Sequence, residues 1–180
     1  MNTPNPAPLW KTPSRARARE VLVSSRARTM ELVDKLNDRQ MKTTSHLGGG
    51  GWSVKDLLGH LAGYEEQALA IATGKNPRFD FSRFESVDER NAADIERKRN
   101  WTVNRIRRDL EAMRSALLEV IDGMEEERWT AKVQTRTGRS ALALVLGRLL
   151  VGGKHGLYAH DLDHIRDLEK SVKLLKASAR

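Results

Sequence analysis

Residues 103–124 read VNRIRRDLEAMRSALLEVIDGM and have the clearest apolar period of the chain. Its apolar residues recur at steps of three and four, at Val103, Ile106, Leu110, Met113, Leu117, Val120 and Met124. Because an α-helix completes one turn every 3.6 residues, these steps place the apolar side chains on one face. The pattern predicts a long helix, beginning near Asp88, that packs this face inside a helical bundle.

Two further helices are predicted before this stretch. The first covers residues 14–36, and its inward face consists of Leu22, Ser25, Thr29, Leu32 and Leu36. The second begins after Ser53, which together with Asp56 resembles a capping box, and it ends at Gly74. A crossover loop follows at residues 76–85 and carries all 3 phenylalanines of the chain. We interpret them as anchors of the loop in preference to a lid over the bundle.

A last helix is predicted over residues 154–175, after a shorter helical segment at 141–151 and a glycine pair. No convincing strand is found. We therefore predict an all-α protein, a four-helix bundle with an additional short helix and a long crossover loop. The bundle would form one domain over residues 14–180. An extended arm at residues 1–13, with prolines at positions 4, 6 and 8, would precede it.

The composition excludes several kinds of site. The chain of 180 residues contains no cysteine, so a metal would need His, Asp or Glu ligands. No apolar run approaches the ~20 residues of a membrane span, and no secretory signal is found, so we predict a cytoplasmic protein. The formal net charge is +8, but the basic residues are dispersed among acidic ones. We therefore expect a solvated surface and no specific nucleic-acid or membrane interface.

Three of the 5 histidines fall on the apolar faces of predicted helices. His60 lies in the second helix, and His160 and His164 lie one turn apart in the last. Three imidazoles from two helices would form a facial ligand set that suits zinc, nickel or iron and leaves positions open. The alternative is that they are hydrogen-bonded packing residues. We interpret His46 and His155 as ordinary surface or loop residues.

Two segments resemble a known superfamily. Residues 52–65, WSVKDLLGHLAGYE, resemble the WSxxDLLxHLxxxE helix of the DinB/YfiT-like superfamily. Residues 158–168, YAHDLDHIRDL, resemble its closing HxxxHxxxI helix. The sequence DERN at 88–91, followed by a long charged helix, resembles the ClbS/DfsB branch. The resemblance covers about residues 14–175.

This resemblance implies a four-helix bundle whose metal ligands are His60, His160 and His164. The superfamily includes thiol-dependent transferases and isomerases, which use mycothiol or bacillithiol, and metal-dependent hydrolases. It thus implies a divalent metal, a small electrophilic substrate and a low-molecular-weight thiol as cosubstrate. It also places Asn91 near the pocket mouth as a substrate-binding residue. Relatives often form dimers, so we expect a homodimer, with the stripe of the first helix as its interface.

Spacing around the histidines suggests further roles. Asp56 lies one turn before His60 and would orient its ring as a hydrogen-bond acceptor, unless it only caps the helix. Tyr64 lies one turn after His60 and would donate to a developing anion, unless it only packs in the core. Asp161 or Asp163 would shuttle a proton, unless both are only solvated. Two functions remain open: a metal-dependent hydrolase or thiol transferase, and a non-catalytic protein that binds or sequesters a small molecule.

Overall fold

The computed structural model describes residues 11–48, 51–135 and 137–178. Most of the expected N-terminal arm, residues 1–10, lies outside the described residues, and so does the side chain of His46. The all-α architecture is confirmed, since helices dominate the described residues and the strands form only two small hairpins. Within those residues no helix combines the length and the apolar character needed to cross a membrane.

The longer helices build the bundle. They are α1 (Arg15–Val33), α3 (Val54–Thr73), α4 (Val87–Lys98), α5 (Val103–Gly123) and α9 (Ile165–Ala177). The shorter helices are α2 (Asp38–Lys42), α6 (Glu126–Thr130), α7 (Leu142–Leu149) and α8 (His160–Asp163). Helices α1, α3 and α5, together with α8 and α9, form the four-helix bundle, and α4 and α7 pack against α3.

Two antiparallel hairpins connect helices. The strands β1 (Thr44–Leu47) and β2 (Trp52–Ser53) pair before α3, and β3 (Lys132–Thr135) and β4 (Gly138–Ala141) pair before α7. The sequence analysis did not predict them because two to four residues are too few to show a period. Single 3₁₀ turns lie at Phe81–Arg83 and Gly153–His155.

Helix α3 is the central helix of the molecule, and its predicted bounds agree with the structure. Ser53 Oγ accepts from Asp56 N at 3.2 Å, and Asp56 Oδ2 accepts from Ser53 N at 2.9 Å. These two bonds form the predicted capping box. At the other end Gly74 adopts φ +72, which stops the helix. Most residues of α3 are buried, whichever face of the helix they occupy, as expected for a helix surrounded by others.

The predicted third helix is two helices. Residues 99–102 separate α4 from α5, and Thr102 caps α5 by accepting from Arg105 N at 3.1 Å. The buried face of α5 also differs in part from the predicted apolar stripe. Met113 and Val120 are only half-buried, whereas Arg114 and Ile121 are buried. A charged residue can occupy this face because its guanidinium group is fully paired within the bundle.

The predicted last helix is also interrupted. Gly153 and Gly156 adopt φ +50 and +84, and Tyr158 adopts φ 63, so no α-helix forms between Gly152 and His160. A Cβ on Gly152 would overlap the carbonyl oxygen of Ala159, so the chain folds tightly upon itself here. Helix α8 then ends at Asp163, and α9 begins after His164. His160 therefore begins a separate one-turn helix, and His164 lies at the junction between α8 and α9.

The first helix ends earlier than predicted, and its stripe faces inward. Helix α1 stops at Val33, and Asn37 caps the short helix α2. All five residues of the predicted stripe are buried within the chain: Leu22, Ser25, Thr29, Leu32 and Leu36. The expectation that this stripe forms a dimer interface is therefore wrong, because the chain's own helices already cover it.

The apolar core consists of two clusters. Leu22, Tyr64 and Leu117 belong to one, and Leu32, Leu61 and Leu110 belong to the other. Each of α1, α3 and α5 passes from one cluster to the other. A layer of buried charged side chains lies near the point where these helices change clusters, and the candidate site lies beside this layer.

Candidate metal centre

Three imidazole rings meet at the junction of α3 and α8. The Nε2 atoms of His60 and His160 are 3.2 Å apart, and those of His164 and His160 are 3.3 Å apart. One ligand atom from each ring lies within 4.8 Å of the other two. His60 lies in the buried middle of α3, and His160 is the first residue of α8. The fold thus brings together residues that are 100 positions apart.

This spacing fits a shared ion. Two nitrogens bound at ~2.0–2.2 Å to a tetrahedral ion lie about 3.3–3.6 Å apart, close to the separations found here. Among the described residues, these Nε2 atoms contact one another and no carboxylate or carbonyl oxygen. The Nδ1 atom of His160 is buried without a hydrogen-bond partner among the described residues. A cluster of three imidazoles is a donor set suited to a divalent transition metal.

The electrostatics keep the rings neutral. Burial, followed by the nearby His160 and His164, holds the pKa of His60 well below its usual value. Burial and His164 lower the pKa of His160 to about 3. The pKa of His164 is also lowered by burial, although Asp163 and Asp161 oppose the shift. Neutral imidazole is the form that binds metals, so the site is prepared for an ion at pH 7.

The histidines line one side of a cavity of about 720 Å³. Tyr64 and Asn91 line it as well, and Tyr64 Oη donates to Asn91 Oδ1 at 3.2 Å. The ring of Tyr64 lies 4.7 Å from that of His160. The bond orients the Asn91 amide, whose nitrogen has no hydrogen-bond partner in the described part of the chain and remains available to a ligand.

Arg90 supplies a positive group to the same cavity. Its guanidinium carbon lies 5.4 Å from the ring centroid of Tyr64 and 5.5 Å from that of Phe81. Its Nε atom is buried and has no hydrogen-bond partner within the described ranges. A buried donor without a partner is unfavourable, and an anionic ligand group would supply the missing acceptor. Arg148, Asp88 and Asp163 also line the cavity, but all three are exposed.

The other predicted site residues, Asp56 and Asp163, lie in different surroundings. Asp56 does not contact His60: its Oδ2 accepts from both the backbone nitrogen and the hydroxyl of Ser53. The expected contact to His60 is therefore replaced by helix capping, the alternative considered from the sequence. Asp163 is an exposed residue of the cavity wall, whereas Asp161 is buried and points into the bundle.

Four charged side chains form a buried charge cluster next to the histidines, consisting of Arg26, Glu65, Arg114 and Asp161. Arg26 donates through Nε to Asp161 Oδ2 and through Nη2 to Glu65 Oε1, both at 2.7 Å. Arg114 Nε donates to Glu65 Oε1 at 2.9 Å, and its Nη2 donates to Asp161 Oδ1 at 2.8 Å. Burial alone would raise the pKa of Asp161, but the two guanidinium groups hold it far below its usual value.

Most of this cluster was not predicted from the sequence, although two of its residues occupy informative positions. Glu65 closes the superfamily-like segment that contains His60. Arg114 follows Leu110 by four residues and precedes Leu117 by three, which places it on the buried face of α5. A charged residue at such a position needs a buried counter-charge, so the pattern points to an ion pair.

The family is established by the sequence comparison. Residues 22–152 match the model of the mycothiol maleylpyruvate isomerase N-terminal domain. The match covers more than half of the chain. The chain belongs to this family, a member of the DinB-like superfamily. The matched region includes His60 and ends before His160, so the comparison does not cover the second ligand segment.

Solved structures share the fold at low sequence identity. An uncharacterised protein from Escherichia coli UTI89 aligns with a TM-score of 0.70 and 11% identity, over 89% of this chain and 94% of that chain. The mycothiol-dependent maleylpyruvate isomerase aligns with a TM-score of 0.61 and 18% identity, and a mutant of it with 0.64 and 16%. This chain spans 63% of the isomerase chain. No curated protein matches the sequence.

Proposed function

We propose that this protein is a metal-dependent enzyme that uses a low-molecular-weight thiol to transform a small, anionic electrophile. The observation that carries the proposal is the convergence of three Nε2 atoms on the wall of a cavity of about 720 Å³. Support also comes from the family and from the mycothiol-dependent isomerase that shares the fold.

The proposed chemistry needs little from the chain beyond binding and orientation. A divalent ion bound by His60, His160 and His164 would act as a Lewis acid and lower the pKa of a thiol. The chain has no cysteine, so the sulfur nucleophile has to come from a cosubstrate. Zinc, nickel and iron all suit three imidazoles.

The remaining cavity residues would orient the electrophile. Arg90 would bind an anionic group through its unpartnered donor, since charge-assisted hydrogen bonds are stronger than neutral ones. Asn91 would donate its amide hydrogens to a carbonyl oxygen on the substrate, with Tyr64 fixing the amide. Asp163, exposed on the cavity wall, would exchange a proton with solvent.

Thiol dependence tests this proposal. The protein, purified without chelator, is incubated with unsaturated carboxylates in the presence and absence of mycothiol, bacillithiol or glutathione. We expect turnover only with a thiol, and we expect its loss in His60→Ala but not in His155→Ala. Turnover without thiol would support a metal-dependent hydrolase, the other enzyme class that the sequence leaves open. Ligand binding without any turnover would support the non-catalytic binding protein.

A further inference from the structure

The buried charge cluster joins four helices. Arg26 belongs to α1, Glu65 to α3, Arg114 to α5 and Asp161 to α8. The side chains of Glu65 and Asp161 are each 2% exposed, and those of Arg26 and Arg114 are 12% and 7% exposed. The two positive and two negative charges cancel. No member of the cluster lines the cavity, so the cluster is not part of the surface that a substrate would contact.

Helix α8 joins the cluster through Asp161. It consists of the four residues His160–Asp163 and has no side-chain hydrogen bond at its N-cap. Helices this short are not stable through their own hydrogen bonds, so outside contacts must orient them. Asp161 accepts from Arg26 on α1 and from Arg114 on α5. These bonds fix the residue that directly follows His160.

The same arginines reach the helix that carries His60. Both guanidinium groups donate to Oε1 of Glu65, which lies five residues after His60 on α3. Arg26 and Arg114 therefore bridge α3 and α8, the two elements that must stay in register for the imidazoles to converge.

Stability alone does not explain the cluster. Replacing buried ion pairs with apolar residues of similar size often leaves stability unchanged or raises it. The planar guanidinium group, in contrast, directs several donors at fixed angles and can hold two carboxylates in one geometry. The cluster is thus better suited to fixing positions than to stabilising the bundle.

We propose that the buried charge cluster is a positioning device for the metal centre, in which Arg26 and Arg114 hold Asp161 and so set the imidazole of His160. Its members are positioning residues, because none touches the ion or the substrate. The inference rests on the metal site of the proposed function. It adds that side chains from α1 and α5, which supply no ligand, determine how tightly the ion is bound.

The test compares two double variants of equal charge. The first combines Arg26→Met with Asp161→Leu, and the second combines Arg26→Met with Asp161→Asn. Each removes one positive and one negative charge and leaves Arg114 paired with Glu65. Only the asparagine variant keeps an oxygen that can accept from Arg114. Residues that orient metal ligands typically contribute about 10–100-fold to affinity. We expect zinc affinity, measured by competition with a chromophoric chelator, to fall at least about tenfold between the asparagine and the leucine variant.

The melting temperatures of the two metal-free variants are compared to exclude a merely structural effect. We expect them to lie within a few degrees of each other while the zinc affinities differ. Equal zinc affinities would overturn the inference, whatever the melting temperatures. A matched control, Arg28→Gln with Glu169→Gln, removes the exposed pair that links α1 to α9 at 2.7 Å and should leave zinc affinity unchanged.

A second readout separates this inference from the proposed function. Histidine ring NMR signals of the metal-free variants report the order of the His160 ring without any ion. We expect a single sharp signal in the asparagine variant and a shifted or broadened one in the leucine variant, and identical signals would overturn the inference. Wild-type protein that binds no zinc would contradict the proposed function only. If the leucine variant fails to fold, two other double variants are compared. One combines Arg26→Met with Glu65→Met, and the other combines Arg26→Met with Glu65→Gln.

Discussion

At the scale of single residues, the site depends on three neutral imidazoles, of which His60 is buried and His160 and His164 are half-buried. His60 is 5% exposed, and burial lowers the pKa of all three rings. In the unfolded chain a histidine titrates near 6.5. Between that pH and the lower folded pKa values, the unfolded chain binds protons that the folded chain does not. Stability must therefore fall as the pH decreases below about 6.5.

The metal-free protein tests this pH dependence. We expect its free energy of unfolding, measured with urea after chelation, to decrease from pH 7.5 to pH 5.5. The His160→Gln variant, which cannot take up this proton, should lose less stability over the same interval. Identical decreases in the two proteins would show that the His160 ring is not held neutral by the fold.

The role of Asp56 can be decided at the same scale. Asp56→Ala removes the acceptor for two donors of Ser53, so we expect it to reduce stability by about 1 kcal/mol, a typical effect of losing a helix cap. Urea unfolding measures this loss, and chelator competition measures zinc affinity, which should stay unchanged. A clear loss of zinc affinity with little loss of stability would restore Asp56 as a residue that orients His60.

At the scale of elements, the sequence predicted helices well where an apolar period and a cap coincide. Helix α3 has both, in Ser53 and Gly74, and its bounds were correct. The breaks before α5 and before His160 were not predicted, because backbone turns at residues 99–102 and at Tyr158 leave no periodic signal. The convergence of His60 with His160 was predicted from helical faces, whereas the buried charge cluster depends on tertiary contacts across four helices.

The glycine turn before α8 gives a prediction for this element. Gly152→Ala would place a Cβ against the carbonyl of Ala159 and displace the chain that leads to His160. We expect lower stability and weaker zinc binding, measured by thermal melting and chelator competition. Gly123→Ala is the control, since a Cβ there meets nothing within 4 Å and should be neutral or stabilising. Unchanged zinc affinity in Gly152→Ala would show that the turn does not position α8.

At the scale of the whole molecule, the bundle combines two apolar clusters with a charged layer and a cavity beside that layer. The homodimer expected from the resemblance stays a prediction, although the stripe of α1 does not form its interface. Val87 and Leu174 are two of the large apolar residues that are exposed within the described ranges. Each is 51% exposed, but they lie on separate helices. Sedimentation at micromolar concentration should give the mass of two chains, and a monomer at all concentrations would exclude the dimer.

The most direct measurement is the metal content of protein purified without chelator. We expect about one divalent ion per chain in the wild type and in His155→Ala. His160→Ala and His164→Ala should lose the ion while circular dichroism shows unchanged helical content, because the apolar clusters, and not the histidines, stabilise the bundle. Full metal occupancy in both ligand variants, or no metal in the wild type, would contradict the account and make the histidines packing residues.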